Sequence, residues 1–554
     1  MKEITRLKSM GLSESPDDLV NTSLLKKSGL NFLFAVVLKT RKLFTMENTF
    51  NKEIPKLKDR INFILLFFRD LLLYFISRRY NTFIIGFRLL SPKYLEWTSQ
   101  IRAKRIYYYA IKNVPAYRSY IKNIEIKKWN DIPFTDKETY IKKYSTEERC
   151  SKGKIPVTSI AIDESSGSTG IPYNWVRSLS ERHDSHAFIS YFATFCFGRK
   201  PFIIINAFSM GAWATGTNMG IALQRNGIVK NTGPDIGKIL NTLNFFGNKY
   251  EYIITGYPPF LKQLYDYAKE QNFSWDKYMI SAIVGGEGMS EGLRDYLLPG
   301  FLKIYSGYGA TDLEIGIAGE TPLTIAIRKL ARENSELRKA LFGEDSRLPM
   351  IFQYNPLMHF IEVNNNRELV FTITRKSVLS PRIRYNIHDE GGICRYDQMR
   401  DKLQSLGYNI DDLTKSEENK NMMFPLIWIY GRRDFTISIM GANIYPEDIE
   451  QCLYADKELA KITLSFCQAV SEGANASVRP AFYFEISTTP SEELKKQFAE
   501  SILEKLIILN ADFREAWHEY SDTLKPEIYL YSKGEGPFKT DNTKIKQARI
   551  INYH

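Results

Sequence analysis

Four short runs of strand-forming apolar residues divide the middle of the chain, and each ends near a glycine, a proline or a small polar residue. They occupy residues 202–205, 252–255, 279–284 and 301–305, and a later run lies at 369–374. Helical patterns separate the first four. Strands that alternate with helices are typical of an α/β domain, in which sites lie at the carboxyl ends of the strands. This alternation therefore predicts an α/β fold and directs attention to the loops that follow the strands.

The length of the chain, 554 residues, indicates two or three domains, because single cores rarely grow beyond ~250–300 residues. Residues 1–95 differ in composition from the rest of the chain and form an opening segment. A large domain is predicted at 96–430. A smaller unit is predicted at 431–554, with a helix at 491–508 and a strand at 527–531.

The opening segment contains an apolar stretch at 61–76 that Arg69 and Asp70 interrupt. A spanning helix needs ~20 mostly apolar residues, and charges near its centre are costly. Two interpretations stay open: a helix packed on the main domain, and a helix lying on a membrane surface. The first hundred residues carry 17 Lys/Arg and 9 Asp/Glu, a net +8 of the total +12. This charge favours anionic ligands or lipid, and no module for nucleic-acid binding is recognisable.

The five cysteines lie far apart, and no pair has the C-x-x-C spacing of a zinc site. The spacing does not favour a disulfide framework either, so a reducing cytoplasm is the expected compartment. No secretory apolar run follows Met1. We expect a cytoplasmic protein, with peripheral contact at the inner membrane face left open by the opening segment.

A glycine- and hydroxyl-rich segment, ESSGSTGIP at 164–172, follows a predicted strand at 159–162. Glycines allow close backbone approach, and hydroxyl and backbone N–H groups can bind phosphate oxygens. The candidate phosphate-binding residues are Ser165, Ser166, Gly167, Ser168, Thr169 and Gly170. The segment lacks the G-x-x-x-x-G-K-[ST] order of a P-loop. Taken alone, it fits a flexible surface turn equally well.

Four later motifs follow this segment in a fixed order. They are GGE at 285–287, YSGYGATD at 305–312, RYNIHD at 384–389, and GRRD at 431–434, which continues into GANIYPEDIE at 441–450. Together with the first segment they resemble the adenylate-forming superfamily, which includes acyl-CoA synthetases and peptide-synthetase adenylation domains. The branch with phenylacetate–CoA ligases is the most similar, through NVPAY at 113–117, DIPFTDK at 131–137 and a phosphate loop that no lysine follows. The resemblance runs from about residue 97 to the end of the chain.

This resemblance implies a large N-terminal domain of mixed β-sheets packed with helices and a small, mobile α+β C-terminal domain. It implies ATP-dependent activation of a small carboxylic acid as an acyl-adenylate, with pyrophosphate released. The acyl group then passes to a thiol, for which CoA is the first expectation. ATP and Mg²⁺ are the implied cofactors.

The resemblance also assigns residues to the nucleotide. Ser166, Ser168, Thr169 and Gly170 would hold the leaving pyrophosphate. Gly286 and Glu287 would lie beside the adenine, with Tyr308 and Gly309 in the adjoining motif. A fixed carboxylate at Asp389 would accept from the ribose hydroxyls. Arg432 would support the same region with a permanent charge.

Catalytic roles follow in the same way. Thr311 would contact the α-phosphate, Asp312 would help to hold Mg²⁺, and Asp434 would be the hinge between the two half-reactions. Lys544 would clamp the substrate carboxylate and the α-phosphate. Each residue has a plainer alternative: a helix cap for Asp312, a turn for Asp389, a surface ion pair for Arg432. For Lys544 the alternative is a solvated basic tail, in which Lys539 and Lys546 are rivals.

Aromatic and small residues after the predicted strands are candidates for the acyl pocket. They are Phe208, Trp213, Tyr257, Ser306 and Gly307. They could equally belong to the core. An amine or a carrier-protein thiol stays open as the acceptor, because 510–515 and 536–538 faintly resemble amide-forming relatives. A third alternative is a non-catalytic nucleotide-binding scaffold at a membrane or in a complex. The identity of the acid, the pathway and the oligomeric state cannot be read from the sequence.

Overall fold

The computed structural model describes residues 52, 54–77, 79–165, 173–345, 347–415, 421–432, 437–439, 442–472 and 478–539. In these ranges the helices are α1 Leu57–Ser77, α2 Tyr80–Leu89, α3 Pro92–Asn113, α4 Pro115–Ile121, α5 Thr146–Arg149, α6 Leu179–Phe197, α7 Ala214–Leu223, α8 Ile236–Phe246, α9 Pro258–Glu270, α10 Glu291–Leu297, α11 Pro322–Glu333, α12 Ser335–Phe342, α13 Tyr396–Ser405, α14 Pro446–Tyr454, α15 Lys457–Ile462, α16 Glu492–Leu509 and α17 Ala511–Leu524. The strands are β1 Ile160–Glu164, β2 Asn174–Ser178, β3 Phe202–Asn206, β4 Gly227–Asn231, β5 Glu251–Gly256, β6 Met279–Gly285, β7 Ile304–Ala310, β8 Glu314–Gly319, β9 Met350–Tyr354, β10 His359–Val363, β11 Glu368–Ile373, β12 Tyr385–Cys394, β13 Leu426–Arg432, β14 Ile437–Ile439, β15 Ala442–Ile444, β16 Thr463–Glu472, β17 Val478–Ile486 and β18 Glu527–Ser532.

One large mixed sheet organises the first domain. Its eleven described strands run in the order β10-β11-β12-β13-β9-β8-β7-β6-β5-β3-β4. The strands from β4 to β7 are parallel, and every pairing from β7 onward to β10 is antiparallel. All five residues of β3 are buried, as expected of a parallel strand covered on both faces. The α/β class predicted from the sequence is confirmed.

The predicted strands at 202–205, 252–255, 279–284 and 369–374 are present, within one or two residues of their predicted ends. The strand predicted at 301–305 begins three residues later and extends further, as β7 at Ile304–Ala310. The residues before it turn away from α10: the Gly300 N–H donates to the Leu297 carbonyl, and the Phe301 N–H donates to that of Leu298. Apolar character at Phe301 therefore reflects packing below the sheet, where its side chain is buried, rather than strand pairing.

The two charges in the apolar stretch of the opening segment face inward. Arg69 on α1 donates to the Thr98 hydroxyl at 2.8 Å and lies over the Trp97 ring. Asp70 pairs with Arg102 and Arg105 on α3. Both charges therefore have partners on α3: Asp70 forms ion pairs, and Arg69 has a hydroxyl and an aromatic ring. Within the described ranges, no helix is long and apolar enough to cross a membrane.

The described residues after β13 form an α+β unit, where the sequence predicts a second domain. Strands β16, β17 and β18 form its sheet, in which β17 pairs antiparallel with β16 and parallel with β18. Helices α16 and α17 pack on this sheet around a cluster of buried phenylalanines. A short ribbon of β14 and β15 adjoins it. The helix predicted at 491–508 and the strand at 527–531 correspond to α16 and β18.

The two domains share a polar contact built on Arg347. Its guanidinium lies 4.4 Å from the ring centre of Tyr430 at the end of the large sheet and 4.1 Å from that of Tyr445 at the start of α14. Asp345 accepts from it at 2.8 Å and Glu390 at 2.7 Å. Burial disfavours the charge, but Asp345 and the other acidic neighbours outweigh it and raise the pKa of Arg347. The side chain therefore remains a cation between two aromatic rings.

Candidate functional site

The carboxyl ends of the parallel strands lie side by side, as the pairing of β3, β5, β6 and β7 requires. Gly285 and Gly307 allow the last two of these strands, β6 and β7, to approach each other closely. A Cβ atom at Gly285 would lie 3.0 Å from the Gly307 carbonyl oxygen, and Gly286 has φ +82°. The GGE turn is therefore shaped by its backbone, and it places Gly286 and Glu287 beside the strand that carries the YSGYGATD motif.

A β-hairpin brings the glycine- and hydroxyl-rich segment to the same edge. Strands β1 and β2 pair antiparallel up to Glu164 and Asn174. The Ser165 N–H donates to the Tyr173 carbonyl, and the Ser165 hydroxyl accepts from the Tyr173 N–H, both at 3.0 Å. The Glu164 N–H also donates to the Ala212 carbonyl in the loop after β3. Both ends of the loop are thus fixed next to the strand ends. Its other predicted phosphate contacts, Ser166, Gly167, Ser168, Thr169 and Gly170, lie outside the described residues.

Cations lie against Tyr173, which occupies the position after the loop where many members of the resembled superfamily have lysine. Arg149 donates to the Tyr173 hydroxyl at 2.5 Å, and its guanidinium lies 5.6 Å from the centre of the ring. The Lys137 ammonium lies 6.0 Å from the same ring. Positive charge is therefore present at the end of the loop without a lysine in the loop itself.

Two sequence motifs that are 73 to 81 residues apart in the chain meet through tyrosine hydroxyls. Tyr308 donates to Asp389 Oδ2 at 2.6 Å, and Tyr385 donates to Asp312 Oδ2 at 2.9 Å. Burial and the Asp312 carboxylate raise the pKa of Tyr385 well above its usual value, so its hydroxyl stays protonated and donates. Each predicted carboxylate is thus oriented by a tyrosine from the other motif.

Two buried arginines hold the turn between β7 and β8, which contains Thr311 and Asp312. Arg177 donates to the Thr311 carbonyl at 2.5 Å, and Arg382 donates to the Asp312 carbonyl at 2.9 Å. Burial, together with the nearby Arg177 charge, lowers the pKa of Arg382 to about 10, which leaves it charged at neutral pH. Arg177 is also paired with Asp163 and Glu181, so the positive field at this turn comes mainly from Arg382. Such a field favours an anionic group at Thr311.

The donor set at Asp312 suits Mg²⁺ better than a metal that needs several protein ligands. Within the described ranges, no cluster of three His, Cys, Asp or Glu residues could hold a metal ion. Mg²⁺ is commonly bound by one or two carboxylates together with substrate phosphates and water. A single oriented carboxylate beside a predicted phosphate position fits that pattern.

The hinge and the C-terminal lysine can be placed only in part. Strand β13 ends at Arg432, whose backbone pairs with Asp389 on β12. The Arg432 side chain, Asp434 and Lys544 lie outside the described residues. Of the two rivals for Lys544, Lys539 is exposed after β18, and Lys546 is also outside the described ranges.

The predicted acyl-pocket residues divide into two groups. Phe208 and Ser306 are each 1% exposed and belong to the interior. Trp213, Tyr257 and Gly307 are partly exposed, and the Tyr257 ring meets Phe208 edge-on at 5.1 Å. Burial raises the pKa of Tyr257 to about 12. All five residues stay candidates for the acyl pocket, and only the second group reaches the surface in this structure.

A buried charge cluster behind the site has no counterpart in the motifs. Arg294 on α10 binds both oxygens of Glu320 at 2.8 and 2.7 Å and both oxygens of Glu291 at 3.1 Å. Arg328 on α11 completes the cluster through Glu291 at 3.0 Å. Glu320 accepts from the Ser306 N–H at 2.7 Å. The cluster thus fixes the strand that leads into Tyr308 and Thr311. Helical spacing of Glu291 and Arg294 is the one sequence signal for it.

No family model matches the chain, and no curated protein matches it in sequence. A 2-hydroxyisobutyryl-CoA ligase in the postadenylation state, in complex with 2-HIB-AMP, aligns over 83% of this chain and 89% of its own, with TM-score 0.58 and 14% identity. The same ligase in the postadenylation state with R3-HIB-AMP aligns over 84% and 91%, with TM-score 0.57 and 14% identity. At this identity the likeness shows the fold alone. The chain has the fold of the AMP-forming acyl-CoA ligases, the adenylate-forming architecture that its five ordered motifs predict.

Proposed function

We propose that the chain is an AMP-forming carboxylate ligase. It joins a carboxylic acid to AMP, releases pyrophosphate, and transfers the acyl group to a thiol, with CoA as the preferred acceptor. The observation that carries the proposal is the junction of Asp312 and Asp389 with tyrosines of the opposite motif, at the carboxyl ends of parallel strands. Nucleotides bind at such strand ends in open α/β sheets. The placement within the phenylacetate–CoA ligase-like branch is part of the proposal.

In the first half-reaction a carboxylate oxygen of the acid forms a bond to the α-phosphorus of ATP. The bond from that phosphorus to pyrophosphate breaks, and the pyrophosphate oxygen takes the electron pair. Thr311 contacts the α-phosphate, and the positive charge of Arg382 stabilises the negative charge that accumulates there. Asp389 holds the ribose. Mg²⁺ bound at Asp312 would neutralise phosphate charge.

In the second half-reaction the thiol sulfur loses its proton to solvent and bonds to the acyl carbon. The bond from that carbon to the AMP oxygen breaks, and AMP leaves with the electron pair. We propose that the domain after Arg432 rotates about Asp434 between the two steps, so that one site serves both. Rotation would separate Tyr445 from Arg347, whose other contacts lie in the large domain. Lys544 would clamp the reactants only during adenylation.

Acid-dependent ATP–pyrophosphate exchange tests the proposal. We expect exchange with one of four pools: aromatic, fatty, hydroxy or amino acids. Lys544→Ala should lower the exchange rate by about 10²–10³-fold, the usual effect of removing one group that stabilises transition-state charge. Lys539→Ala and Lys546→Ala are the matched controls and should retain exchange. Equal loss in all three variants, or an unaffected Lys544→Ala, would contradict the assignment of the lysine.

The same assay separates the competing functions. If product forms only with an amine or a carrier protein and not with CoA, that compound is the acceptor. The segment that suggested an amine has a structural role: Asn510 caps α17 and donates to Asp448 at 2.7 Å. ATP binding without exchange in any pool would favour the scaffold.

We also propose that α1 rests on an anionic membrane surface. Its outer face carries a stripe of exposed apolar side chains that are 42–74% exposed and spaced four and three residues apart: Leu57, Ile61, Ile64, Phe68 and Leu71. Lys56 and Arg60 are exposed at its amino-terminal end. Apolar contact combined with basic charge is the chemistry by which surface helices bind anionic lipid. The net +8 of the first hundred residues supplies the matching long-range attraction.

Co-sedimentation of the full chain with vesicles measures this binding. We expect association with phosphatidylcholine vesicles that contain phosphatidylserine, and weaker association with phosphatidylcholine alone. The double variant Ile64→Asp/Phe68→Asp should bind at least about tenfold less, because two large apolar side chains no longer enter the lipid. Phe245→Asp, at an apolar site on α8 that is 82% exposed, is the control.

Point variants are preferable to deletion of residues 1–95, because Phe83 and Phe87 on α2 pack against Phe424 of the large domain. Unchanged binding by the double variant would remove the stripe from the proposal. Binding lost only on deletion of residues 1–51 would assign the contact to those residues instead.

A further inference from the structure

Two aromatic rings lie between two arginines in a column that runs from the end of the loop after β1 to the turn after β7. Arg149 is the last residue of α5, and its guanidinium lies 5.6 Å from the centre of the Tyr173 ring. The Tyr173 and Trp175 rings lie 4.7 Å apart, and Arg382 lies 4.9 Å from the Trp175 ring. Arg382 in turn donates to the Asp312 carbonyl. The column therefore connects the β1–β2 hairpin, a separate two-stranded sheet, with the turn at the end of β7 in the large sheet.

The geometry of the hairpin places both rings in this column. Trp175 lies on β2, and Tyr173 continues the ladder of β1 and β2 through its two hydrogen bonds to Ser165. Residues two apart on a strand project to the same side, so the two side chains lie against each other. Trp175 is 2% exposed, and Tyr173 is partly exposed. The rings are thus fixed by the same hairpin that begins and ends the predicted phosphate loop.

Neutral oxygens hold the guanidinium of Arg149. Its Nε donates to the carbonyls of Tyr144 and Ser145, and its Nη2 donates to the Thr146 hydroxyl at 3.0 Å and to the Tyr173 hydroxyl at 2.5 Å. Among the described residues, no carboxylate lies within ion-pair distance of this guanidinium. The first three acceptors belong to the segment that leads into its own helix. In the described part of the chain, the Tyr173 hydroxyl is therefore the acceptor through which Arg149 reaches the candidate site.

The other end of the column also keeps its positive charge. Burial, together with the charges of Arg177 and Arg149, lowers the pKa of Arg382 to about 10, and the Asp312 carboxylate offsets this only in part. Burial also disfavours the charge of Arg294, but there the carboxylate partners outweigh burial and raise the pKa. Aromatic rings orient a guanidinium without cancelling its charge. The column therefore holds two cations beside the positions predicted for the phosphates of ATP.

We propose that Arg149 is a positioning residue for the β- and γ-phosphates of ATP and that it acts through Tyr173. The inference rests on the proposed ligase function, which takes the loop between Ser165 and Tyr173 as the pyrophosphate-binding segment. Arg149 holds the Tyr173 hydroxyl, and the Tyr173 backbone holds Ser165, so the two ends of the loop stay together beside the turn at Thr311. The α-phosphate at Thr311 and the ribose at Asp389 do not depend on this support.

Binding of ATP and of AMP to the full chain tests the proposal, because AMP has no β- or γ-phosphate. Titration calorimetry in the presence of Mg²⁺ measures both affinities. We expect Arg149→Met to weaken ATP binding about tenfold, the usual effect of losing a hydrogen bond from a charged donor. The affinity for AMP should stay unchanged, which also shows that the variant is folded. Arg118→Met is the matched control, since this exposed arginine on α4 likewise donates to two backbone carbonyls, those of Ile111 and Lys112.

A double-mutant cycle tests whether Arg149 acts through Tyr173. Tyr173→Phe keeps the ring in the column and removes only the hydroxyl, so ATP binding should weaken while AMP binding does not. If the hydroxyl transmits the effect, Arg149→Met/Tyr173→Phe should bind ATP no more weakly than Arg149→Met alone. Arg149→Lys keeps a cation and a donor beside the ring and should recover part of the lost ATP affinity.

Three results would overturn the proposal. The first is an equal loss of ATP and AMP affinity in Arg149→Met, because the residue would then support the whole site. The second is an unchanged ATP affinity in that variant. The third is a double variant in which the two losses simply add, which would show that Arg149 does not act through Tyr173.

These titrations contain no acid, so their outcome is independent of ligase activity. ATP binding that depends on Arg149 as expected, in a chain that shows no pyrophosphate exchange with any acid, would retain the inference and refute the ligase function. Exchange in Arg149→Met with an unchanged KM for ATP and for pyrophosphate would refute the inference and retain the ligase function.

Discussion

Replacing Arg294 by leucine is expected to lower the free energy of unfolding of the large domain by about 3–5 kcal/mol, because it leaves buried carboxylates without their partner. The Arg294 and Glu320 side chains are 2% and 1% exposed. Burial disfavours the charge of Arg294, but Glu320 and Glu291 outweigh it and raise its pKa. The same pairing overcomes burial at Glu291 and lowers the pKa of that carboxyl. Urea unfolding followed by tryptophan fluorescence measures the change.

Arg332→Leu is the matched control for this variant. Arg332 pairs with Asp295 at 2.7 Å, but the two side chains are 34% and 46% exposed. Exposed pairs contribute ~0–1 kcal/mol, so the midpoint should move little. The Arg294 cluster also holds the Ser306 N–H through Glu320. We therefore expect the destabilised variant to bind ATP more weakly as well. Similar midpoints for the two variants would show that the cluster is not a principal source of stability.

The parallel half of the main sheet could be predicted from sequence because its strands are buried on both faces. Strand β3 is a continuous apolar run that ends at Asn206, and periodicity locates it without help from the rest of the chain. The strands of the antiparallel half are harder to recognise in the sequence. Strand β12, for example, includes His388, Asp389 and two glycines, and its register shifts against β13. Its place in the sheet depends on partners that are distant in sequence.

The candidate site, like the sheet, could be predicted from the sequence only in part. Motif order indicated that Tyr308 and Asp389 serve one ligand, but the bond between them depends on a fold that no local pattern encodes. Arg177 and Arg382 belong to no motif, and their role is visible only because their donors end on carbonyls of the turn. Arg69 looked like an interruption of an apolar helix until its partner Thr98 was placed beside it. Charged residues are hard to assign from sequence when their partners lie far away in the chain.

Asp389→Ala is expected to lower kcat/KM for ATP by about 100-fold, since hydrogen bonds to a charged group contribute ~1.5–3 kcal/mol. The loss should appear mainly in KM, because a ribose contact is equally strong in the ground state and in the transition state. Tyr308→Phe removes only the hydroxyl that orients Asp389 Oδ2. For that variant we expect about a tenfold loss or less, the net value of one hydrogen bond.

Comparison of ATP with 2′,3′-dideoxy-ATP tests directly whether Asp389 binds the ribose hydroxyls. The native protein should prefer ATP, and Asp389→Ala should treat the two nucleotides alike, because the carboxylate that distinguishes them is gone. Tyr308→Phe should retain a reduced preference. Asp401→Ala, at an exposed carboxylate on α13, controls for general effects of charge removal. A preference for ATP that survives in Asp389→Ala would mean that the ribose hydroxyls bind elsewhere. The Tyr308–Asp389 bond would then serve to join β7 to β12, and the nucleotide would have to be placed by the loop after β1 and the turn at Thr311.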